Sequence, residues 1–198
     1  MGGANAKLKR DDLYSLEKYA EIRPEFRAQV MAHKRDRRLP IGPNVTLHFE
    51  DRMIMQYQIQ EMLRAERIYE AEGIQEELDT YNPLIPDGRN WKATMMVEFD
   101  DPAERKLQLS KLIGIERKTY VRVGDHERVY PIANEDLERE TEEKTSSVHF
   151  LRFELSDAMA DDLKNGARLV AGVDHDNYRH ELDPVPDNVR ESLIGDLD

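Results

Sequence analysis

The sequence predicts an α+β fold, a mostly antiparallel sheet with helices gathered on one face and one long central helix lying across it. Three observations carry this expectation. The stretch over 51–80, DRMIMQYQIQEMLRAERIYEAEGIQEELDT, holds no proline, a single glycine and an apolar period close to that of an α-helix. Beyond Trp91, two runs each read strand, helix, strand, strand. Between these parts lies YNPLIPDGRN, dense in turn formers yet anchored by Leu84, Ile85 and Trp91, which predicts a structured loop, either a packed surface connection, the favoured reading, or a lid or binding loop.

The opening residues, 1–10, are expected to form a disordered leader. One domain over 11–198 follows, helical over 11–90 and sheet-rich over 91–198. Asp11 or Asp12 caps a first short helix carrying Leu13, Leu16 and Tyr19, and Pro24 opens a second carrying Phe26, Val30 and Met31. That helix ends in HKRDRR, so Lys34, Arg35, Arg37 and Arg38 sit where a helix C-terminus favours cations. They read as a solvated cluster, the alternative being a patch for an anion or acidic partner. LPIGP breaks the helix, and in NVTLHFE the residues Val45, Leu47 and Phe49 alternate inward while His48 faces out.

On a helical wheel of 51–80, Met55, Ile59, Met62, Leu63 and Tyr69 form a core-facing stripe. Gln56, Glu66 and Glu70 share that arc, and carboxylates are seldom buried without partners. Ile54, Tyr57 and Ile68 lie on the opposite arc, so the helix is expected to be covered on both sides, by its own chain or by a second subunit of a homodimer. Ile59, Met62, Leu63, Val97, Phe99, Val121, Leu151 and Phe153 are the expected common core.

The two later runs form a weak β-α-β-β internal repeat: KATMMVEF, DPAERKLQLSKL, TYVRV, RVYPI, then SVHFLRFEL, SDAMADDLKN, ARLVAGV, YRHEL. Pro102 and Ser156 are start signals for the two helices, and Gly114 and Gly166 are stop signals. DLERETEEKT is expected to be a helix joining the copies, and a C-terminal helix follows DPVPDN. His126 and His175 fall at hairpin tips among acidic residues. Strand alternation points His149 and His180 inward.

A net charge of −12 and a pI of about 5.0 argue against nucleic acid and anionic membranes as partners. No apolar run has the length of a spanning helix and no secretory signal opens the chain, so a soluble, cytoplasmic protein is expected. With no cysteine, thiolate chemistry, disulfides and cysteine-ligated metals are excluded. Walker, dinucleotide-binding, zincin, nucleophile-elbow and EF-hand motifs are missing too. What is left is a candidate pocket of Gln56, Glu66, Glu70, His149 and His180. Of these, Glu66, Glu70, His149 and His180 would suit iron, manganese or zinc. The competing reading pairs the two glutamates with Arg23, Arg27 or Arg67.

DDLYSLEKY, YQIQEMLRAE, YNPLIPDG and SSVHFLRFEL together resemble the bacterial domain-of-unknown-function family 3501, over nearly the whole chain after the leader. The resemblance implies an association with rubrerythrins and iron–sulfur oxidoreductases, hence with peroxide defence or electron transfer. It brings no catalytic residues with it. Three readings follow: an accessory or interaction protein of such a system, a metal-dependent enzyme or small-molecule-binding protein with a Glu/His site between the long helix and the sheet, and a homodimer built on that helix.

Overall fold

The structure, a computed structural model, describes residues 5–198. After a 3₁₀ turn at Arg10–Asp12, α1 runs unbroken over Leu16–Arg35, where two short helices were expected. Ser15, not Asp11 or Asp12, is its cap, accepting from the Lys18 N–H. Pro24 sits inside the helix and does not end it. Packing on both sides of the proline offsets the lost hydrogen bond: Tyr19 is fully buried, and the Phe26 ring meets Tyr57 edge-on.

The chain then forms a hairpin of β1 (Arg38–Ile41) and β2 (Val45–Glu50), with Gly42 supplying the left-handed conformation at its turn. Pro40 is tolerated because β1 is an edge strand.

The stretch over 51–80 is two helices, α2 (Arg52–Glu66) and α3 (Ala71–Tyr81). Arg67 takes a left-handed conformation without being glycine, and the Ile68 N–H closes back on the Leu63 carbonyl at 2.9 Å, ending α2. The glycine acts elsewhere: a Cβ on Gly73 would stand 2.7 Å from Ile68, so its bare backbone lets α3 seat against the turn.

A 3₁₀ turn (Asn82–Leu84) leads to β3 (Asn90–Val97), α4 (Pro102–Lys111), a further 3₁₀ turn (Ile115–Lys118), β4 (Thr119–Val123) and β5 (Ile132–Ala133). Then come β6 (Val148–Glu154), α5 (Asp157–Lys164), β7 (Leu169–His175), β8 (Tyr178–Leu182) and α6 (Asp187–Ile194).

The fold is α+β with two antiparallel sheets, a five-stranded one ordered β1-β2-β3-β6-β5 and a three-stranded one ordered β4-β7-β8. The repeat is visible in the pairing: β3 runs against β6, and β4 against β7. Where β8 borders β7, the first copy offers only a bridge from Val129 to Val121 before β5 crosses to the other sheet beside β6. DLERETEEKT is irregular, not helical, and carries a single bridge from Glu140 to Thr145.

The helices are divided between two cores. The inner faces of both sheets pack together with Leu109 of α4, Leu163 of α5 and Leu193 of α6. Met55, Ile59, Leu63 and Leu78 of α2 and α3 form a separate cluster with Leu8 and Ile85. The eight residues expected in one core are therefore split, with Met62 and Phe99 only half-buried. In its described part the leader is not loose: Leu8 is buried, its N–H donates to the Asn82 side chain, and Lys7 donates to the Asn82 and Ile85 carbonyls. Residues 1–4 of that leader lie outside the described residues.

Leu63→Ala should lower stability by about 2–5 kcal/mol and Phe153→Ala by about 3–5 kcal/mol in chemical denaturation. Because they belong to separate clusters, the double variant should be additive to within about 0.5 kcal/mol. A larger coupling would mean the two clusters act as one.

Candidate functional site

The inner face of the five-stranded sheet is closed by the smaller sheet, and its outer face carries two of the concavities. Strand alternation puts His48 and Glu50 of β2, Lys92, Thr94 and Met96 of β3, and Phe150 and Arg152 of β6 on that outer face. They adjoin in register: His48 opposite Thr94, Thr94 opposite Phe150, Glu50 opposite Lys92, Lys92 opposite Arg152. A large cleft of about 680 Å³ opens where the end of α3 and the 82–84 turn stand over β3 and β6. Tyr81, Pro83, Leu84 and Phe150 give it apolar walls, with Lys92, Arg152, Asp79, Glu135 and Asp136 around them. A smaller one of about 300 Å³ lies on the same face under α1 and α2, among Lys34, His48, Glu50, Ile54, Thr94 and Met96.

The charged groups of the large cleft are already held. Lys92 Nζ donates to the Pro83 carbonyl at 2.7 Å, fixing the turn over the sheet. Arg152 forks onto Glu135 at 2.7 and 2.9 Å and also binds Glu154. In the smaller hollow, burial raises the Glu50 pKa, opposed by the hydrogen bond from Thr94. Burial, then the charge of Arg38, lowers that of His48. His48 is thus partly covered rather than plainly on the surface.

Beside the hollow, Arg37 is only 2 % exposed and joins three parts of the chain. Its Nε and Nη2 donate to the Phe49 and Glu50 carbonyls, both at 3.1 Å, and its guanidinium holds Asp196 beyond α6. Nε also lies 3.2 Å from Asp51, which caps α2 through the Ile54 N–H and bonds His33 of α1. Two carboxylates share one cation. Burial pushes Asp51 up, but His33, Arg37 and the cap outweigh it and hold the carboxyl below its ordinary range. Burial wins at Asp196, which is pushed up to about 6 despite Arg37. The expected solvated cluster at 34–38 therefore conceals a buried ion network. Its signal was the alternation of Arg37 with Leu39 and Ile41, all buried on one side of the incoming strand.

The expected pocket is not assembled. Glu66 and Glu70 are exposed at the end of α2 and the start of α3, because the helix that would have carried both on one face stops between them. Neither Arg23 nor Arg67 serves them. Arg23 instead forks onto Glu61 at 2.7 and 2.8 Å, and Tyr19 donates to the same carboxylate, locking α1 onto α2. Arg23 with Tyr19, against the effect of burial, takes Glu61 down to about 2. This packing also covers Tyr57, so the second arc of α2 is covered by its own chain, the role expected of a second subunit.

Gln56 donates to the Asp12 carbonyl. His149 is fully buried as expected, but His180 is exposed on the edge strand β8, its ring packed on Tyr178 over Gly42. At the hairpin tips, His126 pairs with Asp162 and His175 bonds the Ile113 carbonyl. Among the described residues no three His, Asp or Glu side chains converge as a metal set, so Glu66, Glu70, His149 and His180 do not fit an iron, manganese or zinc centre. No described helix is long and apolar enough to cross a membrane.

These features define an α+β protein in which a three-helix layer overhangs a sheet and leaves a cleft beneath it. The chain belongs to the family of proteins of unknown function DUF3501, whose model matches residues 7–197. It is similar to a novel protein of unknown function from Burkholderia pseudomallei K96243, known from a crystal structure: 49% identity, 98% of this chain and 100% of the other covered, TM-score 0.90. No curated protein matches it.

Two outcomes are expected at these residues. An acid whose folded pKa is raised favours folding while protonated, so the Asp196 contribution is present below the ordinary value near 3.8 and is lost as pH rises to about 6. Relative to wild type, Asp196→Asn should therefore gain on the order of 3 kcal/mol between those limits in urea titrations across pH. An unchanged difference would place Asp196 as ionised in the fold. Separately, Glu66→Gln should leave both the melting temperature and the metal content by elemental analysis as in wild type, and a loss of bound metal would restore the Glu/His centre.

Proposed function

We propose that this chain is an accessory protein of an oxidative-stress or electron-transfer system, acting by binding rather than by chemistry of its own. Its working surface is the cleft between α3, the 82–84 turn and the outer sheet face, and its partner is a rubrerythrin-like or iron–sulfur redox protein. The supporting observation is the cleft itself, whose walls are apolar while Lys92 and Arg152 are each engaged in internal hydrogen bonds. Half-buried apolar walls inside a charged rim are what a partner's anchoring side chains fill. The choice of partner rests on the family resemblance.

Isothermal titration with a purified rubrerythrin from a genome that encodes this family tests the reading. A complex is expected with a dissociation constant of about 1–100 μM, the range of transient association. Leu84→Asp and Phe150→Asp should each weaken it about tenfold or more by placing a charge against the apolar contact. No heat at the highest concentrations, or a complex indifferent to both substitutions, would sink the proposal. A cleft of about 680 Å³ also matches the size of a small-molecule pocket. In that second reading an apolar fluorophore binds there and the same two substitutions release it, while rubrerythrin gives no heat.

A further inference from the structure

A third concavity, of about 490 Å³, lies between the 115–118 turn and the irregular segment 134–140. It does not share the large cleft's apolar character. Five carboxylates line it, those of Glu116, Glu135, Asp136, Glu138 and Glu140, against the two guanidiniums of Arg117 and Arg139. An acidic lining alone defines nothing, but Glu116 adds an independent observation. Its side chain is 1% exposed, and among the described residues its Oε2 has no hydrogen-bond partner. A buried carboxylate oxygen without a donor is costly.

The neighbouring histidine does not supply that donor. Asn134 Oδ1 accepts from the Phe150 N–H, which fixes the amide so that its Nδ2 donates to His149 Nδ1 at 2.9 Å. His149 Nδ1 is therefore an acceptor, and its proton is on Nε2, donated to the Ser146 carbonyl at 3.0 Å. Burial, acting against the nearby Glu116 charge, keeps this imidazole neutral by lowering its pKa. Glu116 Oε2 and His149 Nδ1, 3.9 Å apart, thus present two acceptors to one another. On its other side Glu116 meets only Arg117, an exposed side chain whose guanidinium spans Glu116 Oε1 at 3.1 Å and Glu140 Oε1 at 2.6 Å.

We infer that this concavity is a binding site for a small organic cation bearing a primary ammonium, with Glu116 Oε2 as its innermost acceptor and Arg117 as the group it displaces. An ammonium brings several N–H donors to Glu116 Oε2, which has none of its own although the lining also carries the guanidiniums of Arg117 and Arg139. Its charge is matched by the excess of carboxylates around the opening, and an aliphatic diamine or triamine is compatible with the volume. A metal ion suits the site less well. It would need more ligands than Glu116 offers, and the His149 lone pair is already engaged by Asn134.

The test is isothermal titration of the full chain with putrescine, spermidine and, separately, manganese(II) chloride, at about 0.15 M salt to screen loose surface attraction. Saturable binding of an amine is expected, weakened about tenfold or more by Glu116→Gln, as for the loss of a charge-assisted hydrogen bond. Arg117→Ala removes the competing guanidinium and should tighten binding. Because Arg117 is exposed, that variant decides the matter even if Glu116→Gln fails to fold. Three results would overturn the inference: no amine binding, amine binding unaltered by Arg117→Ala, or manganese that competes with spermidine and depends on Glu116.

Discussion

The helical layer and the sheets meet at one buried guanidinium. Arg37 ends the approach from α1, its carbonyl accepts from Phe49 on β2, its side chain reaches the carboxylate that caps α2, and it holds Asp196 beyond α6. Burying a cation with two carboxylates and several carbonyls costs desolvation, which only near-complete hydrogen bonding offsets. The geometry is correspondingly full. Little tolerance is left for α1 and α2 to shift against β2 and α6.

A second clamp holds the sheets together. Tyr178 on β8 donates its hydroxyl to the Ile41 carbonyl and accepts from the Asn44 and Val45 N–H groups, gripping the β1–β2 turn of the other sheet. Gly42 is required there, since a Cβ would stand 2.5 Å from the His180 ring and 2.6 Å from the Tyr178 hydroxyl, and its φ is 73°. On the far side of the small sheet the Tyr120 ring lies across Gly172, which likewise has no room for a Cβ. The two sheets are thus coupled at an edge as well as through their common core, and the strand pairs of the internal repeat are held in fixed relation.

Fold class and most strands were legible because alternation in NVTLHFE and SVHFLRFEL is strong, and Pro102 and Ser156 mark their helices plainly. The break at Arg67 was not, because a left-handed cap made by arginine leaves no compositional trace, while the nearby glycine serves packing instead. Once that break is placed, Glu70 changes from a face residue of one helix to the N-cap position of another, and the pocket built on it dissolves. Pro24 misled in the opposite direction, as tertiary packing outweighed its local preference. His149 was readable as buried, but not its neighbour Glu116, which lies in a 3₁₀ turn where neither the helical nor the strand period applies.

Arg37 and Asp196 stand 159 residues apart in sequence. A ribosome adding roughly 5–20 residues per second therefore leaves a nascent chain for roughly 8–30 seconds with its central cation paired to Asp51 alone. During that interval α1 and the first hairpin can form and Arg23 can lock α1 onto α2 through Glu61, but the α6 end of the joint is still missing. The contact between Arg37 and Asp196 therefore forms only after the helix and hairpin that it joins have been made.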